Sequence, residues 1–345
     1  MAILKSIKSL FGALAALSCA MLFTGCYTEY PLDVDAKPVL CINSLTTAGE
    51  PIEVSVSRTW VYTDMEAEDN HTVTDATVTI YANGQQVQED YRPKEGDEIR
   101  VHAASRLYGE AEAKVRVPKA PLLNDLEYTP VEGLRWGYKT ENGMYCIDLQ
   151  FNLHLRVSID DLPGVDNYYL YEMEDYVDMD DAIGEDSYFS IGCGNLDYEA
   201  EPIFGEHISG IDIVNGATPD EFSFFTDRQF SGKDYRLNLR YTGCRVSFRG
   251  LAEEVEEFCN AGFEIILSSI SESYYKWNYY CWQYYEGSIF DFVDSGLTDQ
   301  IPAYSNVSTG AGVVAARSTA KVRVPLDEFL SEQLKDVIKK LEERE

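Results

Sequence analysis

Asp178, Asp180 and Asp181 stand close enough along the chain to share a hard cation, and eight carboxylates crowd residues 172–186 around them. Their spacing departs from that of a calcium-binding EF-hand loop, whose oxygen ligands recur at every second position, so a solvated acidic loop is the plainer reading. None of the four histidines, His71, His102, His154 and His207, is spaced with another for metal binding, and His102 and His154 fall in expected strands. A serine nucleophile of the hydrolase type would need a glycine-framed elbow, and Gly-x-Ser-x-Gly does not occur. With 59 acidic residues, the paired carboxylates that a glycosidase uses arise everywhere and diagnose nothing. The run Ser305-Asn306-Val307-Ser308-Thr309-Gly310-Ala311-Gly312 lacks the lysine and the third glycine of a phosphate cradle, which leaves a glycine-rich turn. The sequence predicts no enzyme, no metal and no cofactor.

Cys26 carries the one covalent chemistry that its surroundings specify. Lys5 and Lys8 precede residues 10–23, a run of 14 without a charge, shorter than the roughly 20 residues a helix needs to span hydrocarbon. Such a segment is a signal peptide. It ends Leu22-Phe23-Thr24-Gly25-Cys26, which resembles a lipobox, where a small residue precedes a cysteine that is diacylated and begins the mature chain. Phe23 stands where leucine is usual. Cys19, behind Ala16-Leu17-Ser18, is a competing site, and a plain secretory peptide with an incidental cysteine is the other alternative. On each reading the chain is exported, with Cys26 the expected lipidation site. Cys41, Cys146, Cys193, Cys244, Cys259 and Cys281 then remain, an even number in an oxidising compartment whose pairing the sequence leaves open. Cys41 and Cys281 read as small buried thiols.

Charge narrows the partners. The whole chain carries −31, and loss of Lys5 and Lys8 with residues 1–25 takes the mature chain to −33. A surface this acidic repels nucleic acid and anionic lipid, so no nucleic-acid partner is expected, and membrane attachment has to come from acyl chains. The 320 residues that follow the signal peptide are enough for two cores, and 24 tyrosines suit half-buried positions in β structure.

Alternation positions these groups. After an acidic tether over residues 26–36, residues 37–118 show short period-two runs: Ile52, Val54 and Val56; Val78 and Ile80; Ile99 and Val101; Val115 and Val117. Asn83-Gly84 marks a hairpin between two of them. About seven strands in this length predict an immunoglobulin-like β-sandwich. Residues 119–325 form a second β-rich domain, whose clearest strand runs over residues 145–157 with odd positions apolar and even positions polar. Ser271 caps a helix over residues 274–286 that holds eight aromatics. One stripe is Tyr274, Trp277, Cys281 and Tyr284, the other Tyr275, Tyr279 and Trp282, and one of the two must be core. Packing between domains accounts for the second stripe; Tyr275, Tyr279 and Trp282 are the candidates for partner or ligand contact. Residues 326–345 are an amphipathic helix with Leu330, Leu334, Val337, Ile338 and Leu341 on one face.

The order of several short motifs carries a resemblance. "LCINSL" at 40–45, "EVSVSRTW" at 53–60, "DATVTIYANG" at 75–84, "DDLPGVDNYYLYE" at 160–172, "FTDRQFSGK" at 225–233, "SSISESYYKW" at 268–277 and "SNVSTGAGVVAA" at 305–316 together resemble a Bacteroidota lipoprotein family described only as domain of unknown function 4249. The resemblance covers about residues 20–318. It implies an outer-membrane lipoprotein, anchored by Cys26 on either membrane face, that is accessory to a TonB-dependent β-barrel receptor and binds that receptor or its nutrient. No catalytic residue is established for the family. A structural adhesin or pilus-like subunit is the alternative.

Overall fold

A computed structural model describes residues 37–60, 71, 73–88, 90–178, 186–206, 223–255, 260–285 and 302–344. Cys26 and its tether, residues 61–70, Asp180, Asp181, His207 and Cys259 lie outside the described residues.

The chain is mainly β, as the alternation predicts. Its first strands are β1 (Leu40–Thr47), β2 (Ser55–Arg58), β3 (Thr77–Ala82), β4 (Gln85–Val87), β5 (Glu98–Ser105) and β6 (Gly109–Arg116). Asn83 and Gly84, with φ of 51° and 80°, make the tight β3–β4 turn that their residue types require. Strands β4-β3-β5-β6 form one sheet in that order and close on β1 and β2 over a core that includes Leu40, Ile42, Ile99, Val101, Ala111 and Ala113. Val307, Val314 and Ala316, about 200 residues further along, complete the same core.

The rest of the chain adds β7 (Leu122–Lys139), β8 (Tyr145–Asp160), β9 (Tyr168–Val177), β10 (Tyr188–Gly192), β11 (Asn195–Leu196), β12 (Phe224–Thr226), β13 (Tyr235–Gly250), β14 (Ala261–Ile270), helix α1 (Glu272–Tyr285), β15 (Val314–Pro325) and helix α2 (Asp327–Glu342). Strands β10-β13-β8-β7 form a second sheet, with β11 also on β13. The third sheet has the order β12-β9-β14-β15-β1-β2. In it β1 pairs parallel with β15, Ser44 opposite Val314, so one sheet runs past residue 118 and joins both stretches of chain. The larger core lies under this sheet and the second one, from Phe151, Leu153 and Leu155 on β8 to Phe263 and Ile265 on β14.

Strand β7 is where expectation and structure diverge most. The sequence predicts the second region's first strand at 145–157, yet an 18-residue strand precedes it. Pro130, Gly133 and Gly137 break its alternation, and β7 tolerates them because it is an edge strand, pairing among the described residues with β8 alone. Helix α2 covers the inner face of this edge: Leu330 and Leu334 are fully buried, and Arg135 on β7 pairs with Asp336 at 2.8 Å and donates to Gln333 Oε1 at 2.8 Å.

Candidate functional site

The second sheet buries one face under the core and leaves the other open. The odd residues of β8 are buried, so its even residues, Cys146, Asp148, Gln150, Asn152, His154 and Arg156, point outward. On β13 the buried positions change phase: Leu237, Leu239 and Tyr241 are odd, whereas Cys244, Val246 and Phe248 are even. A one-residue bulge makes the switch, since Tyr241 lies opposite Leu153 and Cys244 opposite Phe151, three residues against two. Gly243 supplies the left-handed backbone there, with φ of 74°, and its N–H donates to Asn152 Oδ1 at 3.0 Å. Arg236 and Arg240 precede the bulge, Arg245 and Arg249 follow it, and all four face outward and are exposed.

Register lays these residues out in rows. Tyr188 on β10, Arg249, Cys146 and Tyr138 on β7 form one row; Ser190, Ser247, Asp148 and Trp136 form the next. Further along come Arg245 beside Gln150, Arg240 beside His154, and Arg156 beside both Asn238 and Glu127. Trp136, Tyr138 and Tyr188 are 58%, 53% and 52% exposed, so three large rings lie open at one end of the face. Glu127 neutralises the opposite end, 2.7 Å from Arg236 and 3.9 Å from Arg156. Arg240, Arg245 and Arg249 have no carboxylate within ion-pair distance among the described residues. The Tyr138 hydroxyl is pushed above its usual value by its hydrogen bond with Cys146 and by nearby negative charge, with Arg249 opposing, so it stays a neutral donor at physiological pH.

Elsewhere the structure reveals what the short motifs do: they clasp one another. Asp161, from the motif at 160–172, accepts from Tyr169 Oη at 2.6 Å and from the Gly232 N–H at 2.6 Å, and Gly232 belongs to the motif at 225–233. Asn167 Nδ2 bonds across the same pair to Asp227 at 3.3 Å. The glycine-rich run at 305–312 binds β1, where Ala311 N–H donates to Leu40 O and Ile42 N–H to Ala311 O, each at 2.9 Å. Ser273 Oγ, in the motif that opens α1, donates to Val314 O at 3.0 Å.

The aromatics offered for contact take a definite place. Tyr275 and Trp282 are buried, and with the half-buried Tyr279 they pack on Leu170, Phe224 and Ile270. Their stripe is the helix's packed face. Trp277, 36% exposed, lines a groove of about 460 Å³ with Asn43, Leu45, Glu53 and Val313, and Tyr274 both lines this groove and packs on the same cluster. Ser271 caps the helix as expected, its Oγ accepting the Tyr274 N–H at 3.3 Å. Asp178, from the acidic run, pairs with Arg323 at 2.8 Å, and no group of three metal-ligating side chains occurs among the described residues.

A cleft of about 530 Å³ opens at the end of β10, lined by Tyr171, Glu172, Cys193, Asn195, Tyr198 and Tyr241. Tyr171 and Tyr241 share a buried 2.7 Å hydrogen bond, and burial pushes both hydroxyls up.

None of the outward arginines was singled out from the sequence. Their positions were visible in two alternating runs, 235–241 and 245–248, but simple alternation would set Arg240 and Arg245 on opposite faces. The Thr242-Gly243 pair between the runs was the available signal for a bulge.

A protein-family model described as "Domain of unknown function (DUF4249)" matches residues 27–323. No curated protein and no solved structure matches the chain.

Proposed function

Starting from a chain that belongs to the DUF4249 family, we propose that it is an exported, non-enzymatic outer-membrane lipoprotein, held by acyl groups on Cys26. It serves a TonB-dependent nutrient receptor by binding, either to the receptor or to the nutrient it takes up. The observation that carries the binding role is the open face of the β10-β13-β8-β7 sheet: exposed rings, with Arg240, Arg245 and Arg249 that have no ion-pair partner among the described residues, are held on a sheet whose other side is core. The strand pairing of this sheet and the core beneath it fix that face, so a partner meets a preformed surface.

The anchor and the partner are tested separately. Cys26→Ala is expected to release the protein from the envelope, and mass spectrometry of the native chain should find the mature amino terminus acylated. Affinity purification of the tagged protein from solubilised outer membranes should recover a β-barrel receptor. A protein retained as before without Cys26 would remove the lipid anchor from this reading. Recovery without any receptor, together with undiminished growth of a deletion strain on every substrate tried, would remove the receptor role.

A further inference from the structure

The open sheet face has a shape as well as a charge. Arg236, Arg240, Arg245 and Arg249 follow one strand, and from Arg236 to Arg249 that strand covers roughly 40 Å at about 3.4 Å per residue. The four strands from β10 to β7 span roughly 15 Å at about 4.8 Å apart. A narrow strip with cations at intervals fits a linear polymer better than a compact ligand. Guanidinium groups favour carboxylate or sulfate because their planar fork matches two oxygens at once. Tyr138 and Tyr188 lie in the same row as Arg249 and Trp136 in the next, offering flat apolar faces beside the cations. That combination fits a chain whose monomers carry both an anion and an apolar ring face. Asp148 lies within the strip, held by Ser247 Oγ, and the net charge of the rest does not forbid an anion here, since charges more than about 8 Å away are largely screened at physiological salt.

We infer that the outward face of β13, β8 and β7 binds a linear anionic polysaccharide, with Arg240, Arg245 and Arg249 taking its carboxylate or sulfate groups and Trp136, Tyr138 and Tyr188 stacking on its sugar rings. This rests on the binding role proposed above and names its ligand class. Binding of the full-length protein, purified in detergent, is measured against polygalacturonate, chondroitin sulfate, neutral dextran and poly-L-glutamate at physiological salt. The expected result is binding of one or both anionic glycans and none of dextran. Arg245→Gln with Arg249→Gln should weaken binding at least tenfold, as should Trp136→Ala with Tyr138→Ala, with unfolding curves unchanged for these exposed positions. Failure to bind either anionic glycan overturns the inference. So does binding of poly-L-glutamate with equal strength and no effect of the aromatic pair, which would mark a surface for an acidic polypeptide. A protein that binds glycan yet copurifies with no receptor keeps this inference and loses the receptor role.

A second inference rests on different residues. Gly192 lies opposite Arg245 and Asn195 opposite Thr242, so the register places Cys193 opposite Cys244. The Gly194 N–H donates to Cys244 Sγ at 3.4 Å, and the two thiols are hydrogen-bonded to each other. The geometry points to a Cys193–Cys244 disulfide beside the cleft in the exported protein. A small-molecule or protein disulfide is the oxidant: exposed Cys193 forms a mixed disulfide and releases one thiol, then Cys244 attacks the Cys193 sulfur and releases the second, so two protons and two electrons pass to the oxidant. Treating the reduced, purified protein with oxidised glutathione should give a mass loss of two hydrogens and a Cys193–Cys244 cross-linked peptide. Both thiols remaining open to alkylation after that treatment, or either linked elsewhere, overturns the pairing. A bond that forms with glutathione but is absent from the native protein would count against the oxidising compartment.

Discussion

Asp161→Ala tests whether the clasp between distant motifs stabilises the fold. The Asp161 side chain is 8% exposed and accepts from Tyr169 Oη and the Gly232 N–H, each at 2.6 Å, and from Asn167 Nδ2 at 3.0 Å. Asn167 keeps other acceptors, the carbonyls of Leu162 and Val165 at 3.1 Å, so its loss is small. Gly232 is at the surface and water replaces its partner. Tyr169 is different: it is 2% exposed, packed 5.3 Å from Phe225, and burial with the Asp161 hydrogen bond pushes its hydroxyl well above the usual value, so it stays a proton donor. Removing the acceptor strands that donor, at about 1–3 kcal/mol, and the weaker Gly232 bond brings the cost of Asp161→Ala to about 3 kcal/mol. Tyr169→Phe removes the donor and leaves Asp161 its other partners, costing about 1 kcal/mol. In the double variant no hydroxyl is stranded, so the two changes should be sub-additive by about 1–2 kcal/mol. Urea unfolding of the full-length protein, followed by tyrosine and tryptophan fluorescence, measures all three. A cost below about 1 kcal/mol for Asp161→Ala, or additivity within about 0.5 kcal/mol, would refute the clasp.

Two glycines with positive φ should respond differently to alanine. At Gly312 a Cβ would meet Ile42 O at 2.1 Å, so the run has to leave β1 and the loss should exceed about 3 kcal/mol. At Gly243 nothing lies within 4 Å, and only the left-handed backbone is penalised, about 1 kcal/mol; denaturation midpoints separate the two. Leu334→Ala, at a fully buried position of α2, should cost about 2–5 kcal/mol and loosen β7, seen as faster amide exchange along that strand. Asp97 is opposed by desolvation, but the Lys94 N–H, Asn83 and Tyr91 donate to it and hold its carboxyl below the usual range. Its stabilisation is therefore present above the unfolded carboxyl value of 3.8 and fades as pH falls through the lower folded value, so Asp97→Ala and wild type should converge in melting temperature in that acid window.

Much of the scaffold is legible in the residues themselves. The β8 alternation from Tyr145 onward, the Asn83-Gly84 turn, the Ser271 cap and the apolar stripe of α2 each follow from local geometry, which a chain must obey wherever it sits. The motif order likewise placed the chain in its family, and the 27–323 match agrees. Strand β7 was hidden because its pairing on β8 is long-range and an edge position tolerates Pro130 and two glycines that local rules would exclude.

The helix aromatics divide the same way. Helical spacing separates two stripes, and only the contact with Leu170, Phe224 and Ile270 decides that Tyr275 and Trp282 are the packed one.

The arginine face was decided by tertiary structure alone. One inserted residue at Gly243 reverses which side of β13 faces out, and whether a bulge forms depends on the partner strand that fixes the register. Sequence sets the period of each element; pairing sets its phase, and the phase determines which charges and rings share a surface.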